Sequence, residues 1–172
     1  GGILRPATLL KRAPGTVPAG TRVFSASTSA QMRGLLRLIV TDGTGGKADA
    51  PGFRIGGKTG TADKTRSGGG YAHNARVSTF ASAFPMDDPR YVVVAMLDNP
   101  HGNASTGGFA TAGMVTAPVV GKVVARIGPL LGIYPDEARD MNIADLRALL
   151  WNPRKDANGK PLAKRVAKPA AG

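Results

Sequence analysis

The sequence predicts a mixed α/β chain in which short antiparallel strands are flanked by amphipathic helices. Three observations carry that expectation. The segments "VSTFASAFP" and "RYVVVAMLDNP" are strand-like and joined by a tight turn at "MDDP", as in an antiparallel meander. Met32, Leu35, Leu36 and Ile39 recur at helical spacing. The run "GMVTAPVVGKVVARIGPLLGI" is apolar but broken by Lys122, Arg126, Pro118 and Pro129, so it reads as an amphipathic helix rather than a membrane span. With 172 residues, 42% of them hydrophobic, the chain can bury one core.

The elements follow in order. Residues 1 to 24 are expected to be extended, because Pro6, Pro14 and Pro18 oppose a stable helix. "SASTSAQMRGLLRLIVTDGTGG" then predicts a helix capped by Ser27 or Ser29 and ended by Gly43, Gly45 and Gly46. "FRIGGKTGTA" reads as a strand over about 54 to 62, and "DKTRSGGGYAHNAR" as a long flexible connection. Strands at 77 to 85 and 91 to 98 come next. The second of these is apolar on both faces, as in a strand covered on both sides. A helix is expected from Phe109 to Leu131, and a small one at "NIADLRALLW" with Asn142 as its N-cap. The resulting division is a main unit over 1–135, a short C-terminal helix over 136–151, and a basic disordered tail over 152–172.

The formal net charge is +12, which favours anionic partners without choosing among them. Aromatics make up 5% of the chain and do not alternate with the basic residues, as a base-stacking surface would require. A nucleic-acid-binding module is therefore the weaker alternative, and no nucleic acid is expected as partner. The absence of cysteine excludes disulfides, thiolate metal sites and a Cys nucleophile. Neither a signal peptide nor a membrane span is visible. The chain opens at "GGILRPATLL" without Met, as if cut from something longer.

"GFRIGGKTGTADK" carries the chemistry. Gly52, Gly57, Lys58 and Thr59 fit the phosphate-cradling pattern G-x-x-x-x-G-K-[ST], while Lys58, Thr59 and Gly60 spell K-T-G. A phosphate loop needs a buried strand before its first glycine and a helix starting at the Lys-Thr pair. "DGTGGKADAP" is no buried strand, and Gly60 with the glycine triplet at 68–70 is a poor helix start. A strand at a cleft wall suits the residues better. Thr59 and Thr61 place two hydroxyls on one face, and beside the Lys58 cation they form a receptor for a terminal carboxylate. Gly60 lets substrate backbone lie against the strand, and a main-chain N–H there can face a carbonyl oxygen under attack. Such a site suits peptide acyl transfer.

"GGKTGTA", a Gly-rich loop, "FASAFP", "DDPRYVVVAMLDNP" and "AGMVTAPVVGKVV" resemble, in order and spacing, the C-terminal half of a class B penicillin-binding protein transpeptidase domain. "GGILRPATLLKR" and "MRGLLRLIVTDGTG" resemble the segments that precede the box there. The resemblance covers about residues 1 to 131 and is nearest to the septal FtsI type. It implies an α/β sandwich around a five-stranded antiparallel sheet with helices on both faces, of which three strands are expected here. It also implies a D,D-transpeptidase that cross-links peptidoglycan at the periplasmic face of the inner membrane through a serine acyl-enzyme. Its partners would be the D-alanyl-D-alanine stem peptide, β-lactams and divisome proteins, with no cofactor or metal. Lys58 would position the substrate carboxylate and support the proton relay, Thr59 and Thr61 would bind that carboxylate, and Thr61 N–H would be an oxyanion donor.

The family also uses S-x-x-K, which holds the nucleophile, and S-x-N. None of Ser25, Ser27, Ser29, Ser67, Ser78, Ser82 and Ser105 has Lys three positions on or Asn two positions on. Both boxes would lie upstream of Gly1. The chain alone is expected to be inactive, with part of its core exposed and poor solubility. A penicillin sensor or serine β-lactamase of the same superfamily is the enzymatic alternative.

The other candidates carry blander roles. His101 reads as a turn residue, Asp87 and Asp88 as turn formers, and Met96 and Met114 as core. Tyr71, His73 and Asn74 are candidates for lining the cleft from a loop. Lys122 and Arg126 fall on the helix's wet face, and Trp151 anchors the last helix.

Overall fold

The computed structural model describes residues 1–147. The expected tail and Trp151 lie outside the described residues. β1 (Ile3–Leu4) pairs antiparallel with β2 (Thr21–Arg22), so the proline-rich opening is a narrow ribbon. Helix α1 follows over Ala26–Thr41. Its N-cap is Ser25, not Ser27 or Ser29: the Ser25 hydroxyl accepts from Thr28 N–H at 3.0 Å, the reach that an N-cap needs. Asp42 closes the helix, its N–H donating to Leu38 O.

Strands β3 (Gly56–Thr65), β4 (Tyr71–Phe84) and β5 (Tyr91–Asp98) form an antiparallel sheet in the order β3-β4-β5. Two expectations change here. The segment read as a flexible connection is the outer half of a hairpin: Ala62 pairs with Val77, Asp63 with Arg76 and Thr65 with Tyr71. Only residues 66–70 are left for the turn, where Gly69 and Gly70 take positive φ. Tyr71, His73 and Asn74 therefore belong to a strand rather than a loop. Nor is the first strand extended from residue 54. Arg54 has φ +52°, and the strand begins at Gly56.

Pairing Phe80 with Ala95, Ser82 with Val93 and Phe84 with Tyr91 places these residues on one face of the sheet. Phe80 and Phe84 are fully buried there with Ile55, Val40, Val120 and Val124. The opposite face of β5 is open: Val92, Val94 and Met96 are 73%, 60% and 66% exposed. The double-sided apolarity of β5 thus does not mean double-sided cover within this chain, and Met96 is not core.

The expected helix over 109–131 divides into α2 (Ala112–Val115) and α3 (Ala117–Leu130). Phe109 stays outside and exposed. Pro118 sits at the start of α3; lacking an N–H, it cannot continue the ladder from α2. Lys122 and Arg126 are exposed, as their helical positions predict. A short α4 (Ala144–Arg147) ends the described chain. Asn142 does not sit directly before it: its side chain accepts from Ala144 N–H at 3.1 Å while Ile143 supplies the first carbonyl.

Candidate functional site

Strand β3 is an edge of its sheet among the described residues, so alternate N–H and C=O groups point away from β4. Lys58 projects into solvent; its Nζ donates to Thr59 O at 2.6 Å and lies 3.4 Å from Thr59 Oγ1. Thr59 stands opposite Phe80 and Thr61 opposite Ser78, which puts both hydroxyls on the α2 side of the strand. Gly60, opposite Thr79, has only Thr79 near the place a Cβ would occupy, so one side of the strand is open to an approaching backbone. The structure brings Lys58, Thr59, Gly60 and Thr61 together on one exposed stretch.

The two hydroxyls face a cleft of about 550 Å³ walled by Thr44, Lys47, Thr59, Thr61, Ala112 and Met114. Met114 is thus a half-buried cleft residue, not core. Thr44 Oγ1 lies 3.0 Å from Thr59 Oγ1, and Thr61 Oγ1 accepts from Ala112 N–H at 3.0 Å. The sequence reading missed Thr44, Lys47 and Ala112. Thr44 lies in "MRGLLRLIVTDGTG" and Ala112 in "AGMVTAPVVGKVV", segments that carry the family resemblance without marking either residue as part of the site.

A buried guanidinium network fixes the entry to β3. Arg37, 5% exposed, donates to Asp49 at 2.8 Å, to Asp140 at 2.6 Å and to Ile55 O at 2.9 Å. Burial opposes the Arg37 charge, but Asp140 and Asp49 outweigh it and hold its pKa above the ordinary value. Burial likewise opposes ionisation of Asp140, yet Arg37 and the Met141 N–H keep that carboxyl below its usual pKa. Arg54, 5% exposed, bonds Asp87 at 2.7 Å and Gly52 O at 2.8 Å. Asp87, against its own desolvation, is held low by Arg54, with Arg139 adding charge. Asp87 is therefore an ion-pair partner as well as a turn residue. Its left-handed neighbour in this network, Arg54, is held in that conformation from three sides, because its carbonyl also accepts from Met86 N–H at 2.8 Å.

A second, polar cleft of about 450 Å³ lies beside Arg54, Asp87, Arg90, Tyr134 and Arg139 and shares no lining residue with the first. Among the described residues no three His, Asp or Glu side chains converge as a metal would need. No helix there is long and apolar enough to cross a membrane.

Comparison with known proteins identifies the family and the fold. Residues 1–123 match the penicillin binding protein transpeptidase domain. A probable peptidoglycan D,D-transpeptidase FtsI from Caulobacter vibrioides is 48% identical over 77% of this chain and 24% of its own length. Stage V sporulation protein D from Bacillus subtilis is 36% identical over 90% of the chain and 26% of its own. The chain thus spans about a quarter of these curated relatives. Among solved structures, the apo TP domain of Burkholderia pseudomallei penicillin-binding protein 3 superposes with a TM-score of 0.67 at 38% identity. It covers 78% of this chain, which corresponds to 39% of that one. Penicillin-binding protein 3 from Mycobacterium tuberculosis in complex with ampicillin gives 0.59 at 32% identity, over 75% of this chain and 30% of its own. With its three-stranded antiparallel sheet, its K-T-G edge strand and these matches, the chain belongs to the penicillin-binding protein transpeptidase domain family.

Proposed function

We propose that this chain supplies the K-T-G wall of a peptidoglycan D,D-transpeptidase of the cell-division type, working at the periplasmic face of the inner membrane. The observation that carries the reading is the pair of hydroxyls on Thr59 and Thr61, set on one face of an edge strand beside the Lys58 cation. Two hydroxyl donors and an ammonium match the terminal carboxylate of a D-alanyl-D-alanine stem peptide. Gly60 leaves room for the peptide to lie along the strand, and a β3 N–H, that of Thr61, faces the carbonyl oxygen as charge develops on it.

The chemistry is acyl transfer in two steps. A serine oxygen bonds to the penultimate D-alanine carbonyl carbon, the peptide C–N bond breaks, and the last D-alanine leaves with a proton on its nitrogen. An amine from a neighbouring strand then takes the acyl group and returns the serine hydroxyl. A β-lactam enters by the same route, but its ring nitrogen stays tethered, so the acyl-enzyme persists. Ampicillin in the Mycobacterium tuberculosis relative supports β-lactams as ligands, and the name of the Caulobacter relative supports division, with divisome proteins as partners.

No serine of this chain sits in an S-x-x-K box, so this reading requires a serine nucleophile from outside these 172 residues. The test is to read the coding sequence upstream of Gly1 and to label its product with fluorescent penicillin. S-x-x-K followed by S-x-N, with a lasting label lost on Ser→Ala in the first box, is the expected result. An upstream sequence without these boxes, or a product that takes no label, contradicts the proposal. Rapid turnover of the label favours the β-lactamase reading instead.

A further inference from the structure

The two hydroxyls of the K-T-G strand are each engaged on one side by a group outside the strand. Thr61 Oγ1 accepts from Ala112 N–H. A backbone N–H can only donate, so this contact occupies a lone pair on Thr61 and leaves its single proton free. Thr59 Oγ1 lies 3.4 Å from Lys58 Nζ, a group without acceptor capacity, and 3.0 Å from Thr44 Oγ1. Between two hydroxyls the direction of donation is free. Only when Thr44 donates does Thr59 keep its own proton for an incoming carboxylate.

The position of Thr44 beside Thr59 is fixed by its surroundings. Its neighbour Gly45 donates to Ile39 O at 2.9 Å and packs against the Phe80 ring. On the other side, Gly113 of α2 lies so close that a Cβ there would stand 2.4 Å from Thr44 O. A side chain at 113 would push the Thr44 loop off the strand. The loop after α1, the β3 strand and α2 are thus clamped around the hydroxyl pair.

We infer that Thr44 is a positioning residue, which donates its proton to Thr59 Oγ1 and so presets Thr59, as Ala112 N–H presets Thr61, to donate to the carboxylate of the peptide or β-lactam. The inference rests on the carboxylate reading of Thr59 and Thr61. It adds a specificity element outside the K-T-G box, on a loop that the box's own residues do not define.

The test uses the intact protein and the rate of acylation by benzylpenicillin compared with its methyl ester, which lacks the carboxylate. Thr44→Val keeps the shape and removes the proton; Thr44→Ser restores the hydroxyl. Thr44→Val lowers the benzylpenicillin rate about fivefold, leaves the methyl ester rate and the melting temperature unchanged, and Thr44→Ser recovers the wild-type ratio. In a Thr59→Val background, Thr44→Val has no further effect. A wild-type ratio in Thr44→Val, or an equal loss with both compounds, overturns the inference while leaving the carboxylate reading in place. An unchanged benzylpenicillin rate in Thr59→Val overturns both.

Discussion

The open face of β5 yields the most demanding prediction. Val92, Val94 and Met96 are on average about two-thirds exposed, on a strand that is also the second edge of the described sheet, opposite β3. Complete burial of such a side chain is worth about 1.5–3 kcal/mol. Covering what remains exposed of the three therefore contributes about 3–6 kcal/mol to the intact domain. Replacing all three by Lys removes that gain and adds the cost of desolvating charge where the face is covered. In the chain of 172 residues alone the same change meets only water. The assay is a pair of measurements on wild type and on the V92K/V94K/M96K variant: dye binding and sedimentation for the isolated chain, thermal unfolding for the intact protein. The isolated wild-type chain binds hydrophobic dye and self-associates, and the variant does so less. The intact variant melts lower by at least about 6 °C. An isolated wild-type chain that is monomeric and dye-free, or an intact variant that melts like wild type, refutes the reasoning.

Three further outcomes follow from the guanidinium network and the chain reversal around it. Arg37→Leu leaves Ile55 O without its donor and releases Asp49 and Asp140 to water; both carboxylates are over a third exposed, so the cost is about 2–4 kcal/mol, read as a lower urea midpoint. Asp87 and Asp140 have folded pKa values below the ordinary carboxyl. Their contribution is therefore complete above the unfolded value of about 4, and it is lost as pH falls through the lower folded values. Urea midpoints between about pH 6 and pH 2.5 should decline less steeply in Arg37→Leu than in wild type. At Gly52, φ is +77° and a Cβ would stand 2.5 Å from Asp136 N, whose N–H donates to Gly52 O. Gly52→Ala should raise hydrogen exchange at Asp136 by about tenfold or more.

The parts of the fold that were legible in the sequence are those set by local pattern. β5 was placed correctly because its ends carry Pro and turn residues, and α1 because its apolar spacing is regular. The outer half of the β3–β4 hairpin was not legible. "DKTRSGGGYAHNAR" is polar and glycine-rich, and its strand character comes from cross-strand pairing, such as Arg76 with Asp63 at 3.1 Å and the backbone register of Thr65 with Tyr71, rather than from propensity. The exposure of Val92, Val94 and Met96 was hidden for a related reason: apolarity records what a face is built to meet, and this chain holds only part of what its family assembles. At the site, Lys58, Thr59, Gly60 and Thr61 were visible as a motif, whereas Thr44 and Ala112 were not. Contacts across 15 and 51 residues of sequence leave no periodic trace.

A crystal structure of the intact protein acylated by benzylpenicillin tests the central claim most directly. The penicillin carboxylate is expected within about 3 Å of both the Thr59 and Thr61 hydroxyls, with the drug lying along β3 and Lys58 turned toward it. A carboxylate bound elsewhere, or an adduct whose acyl group does not meet this strand, would contradict it.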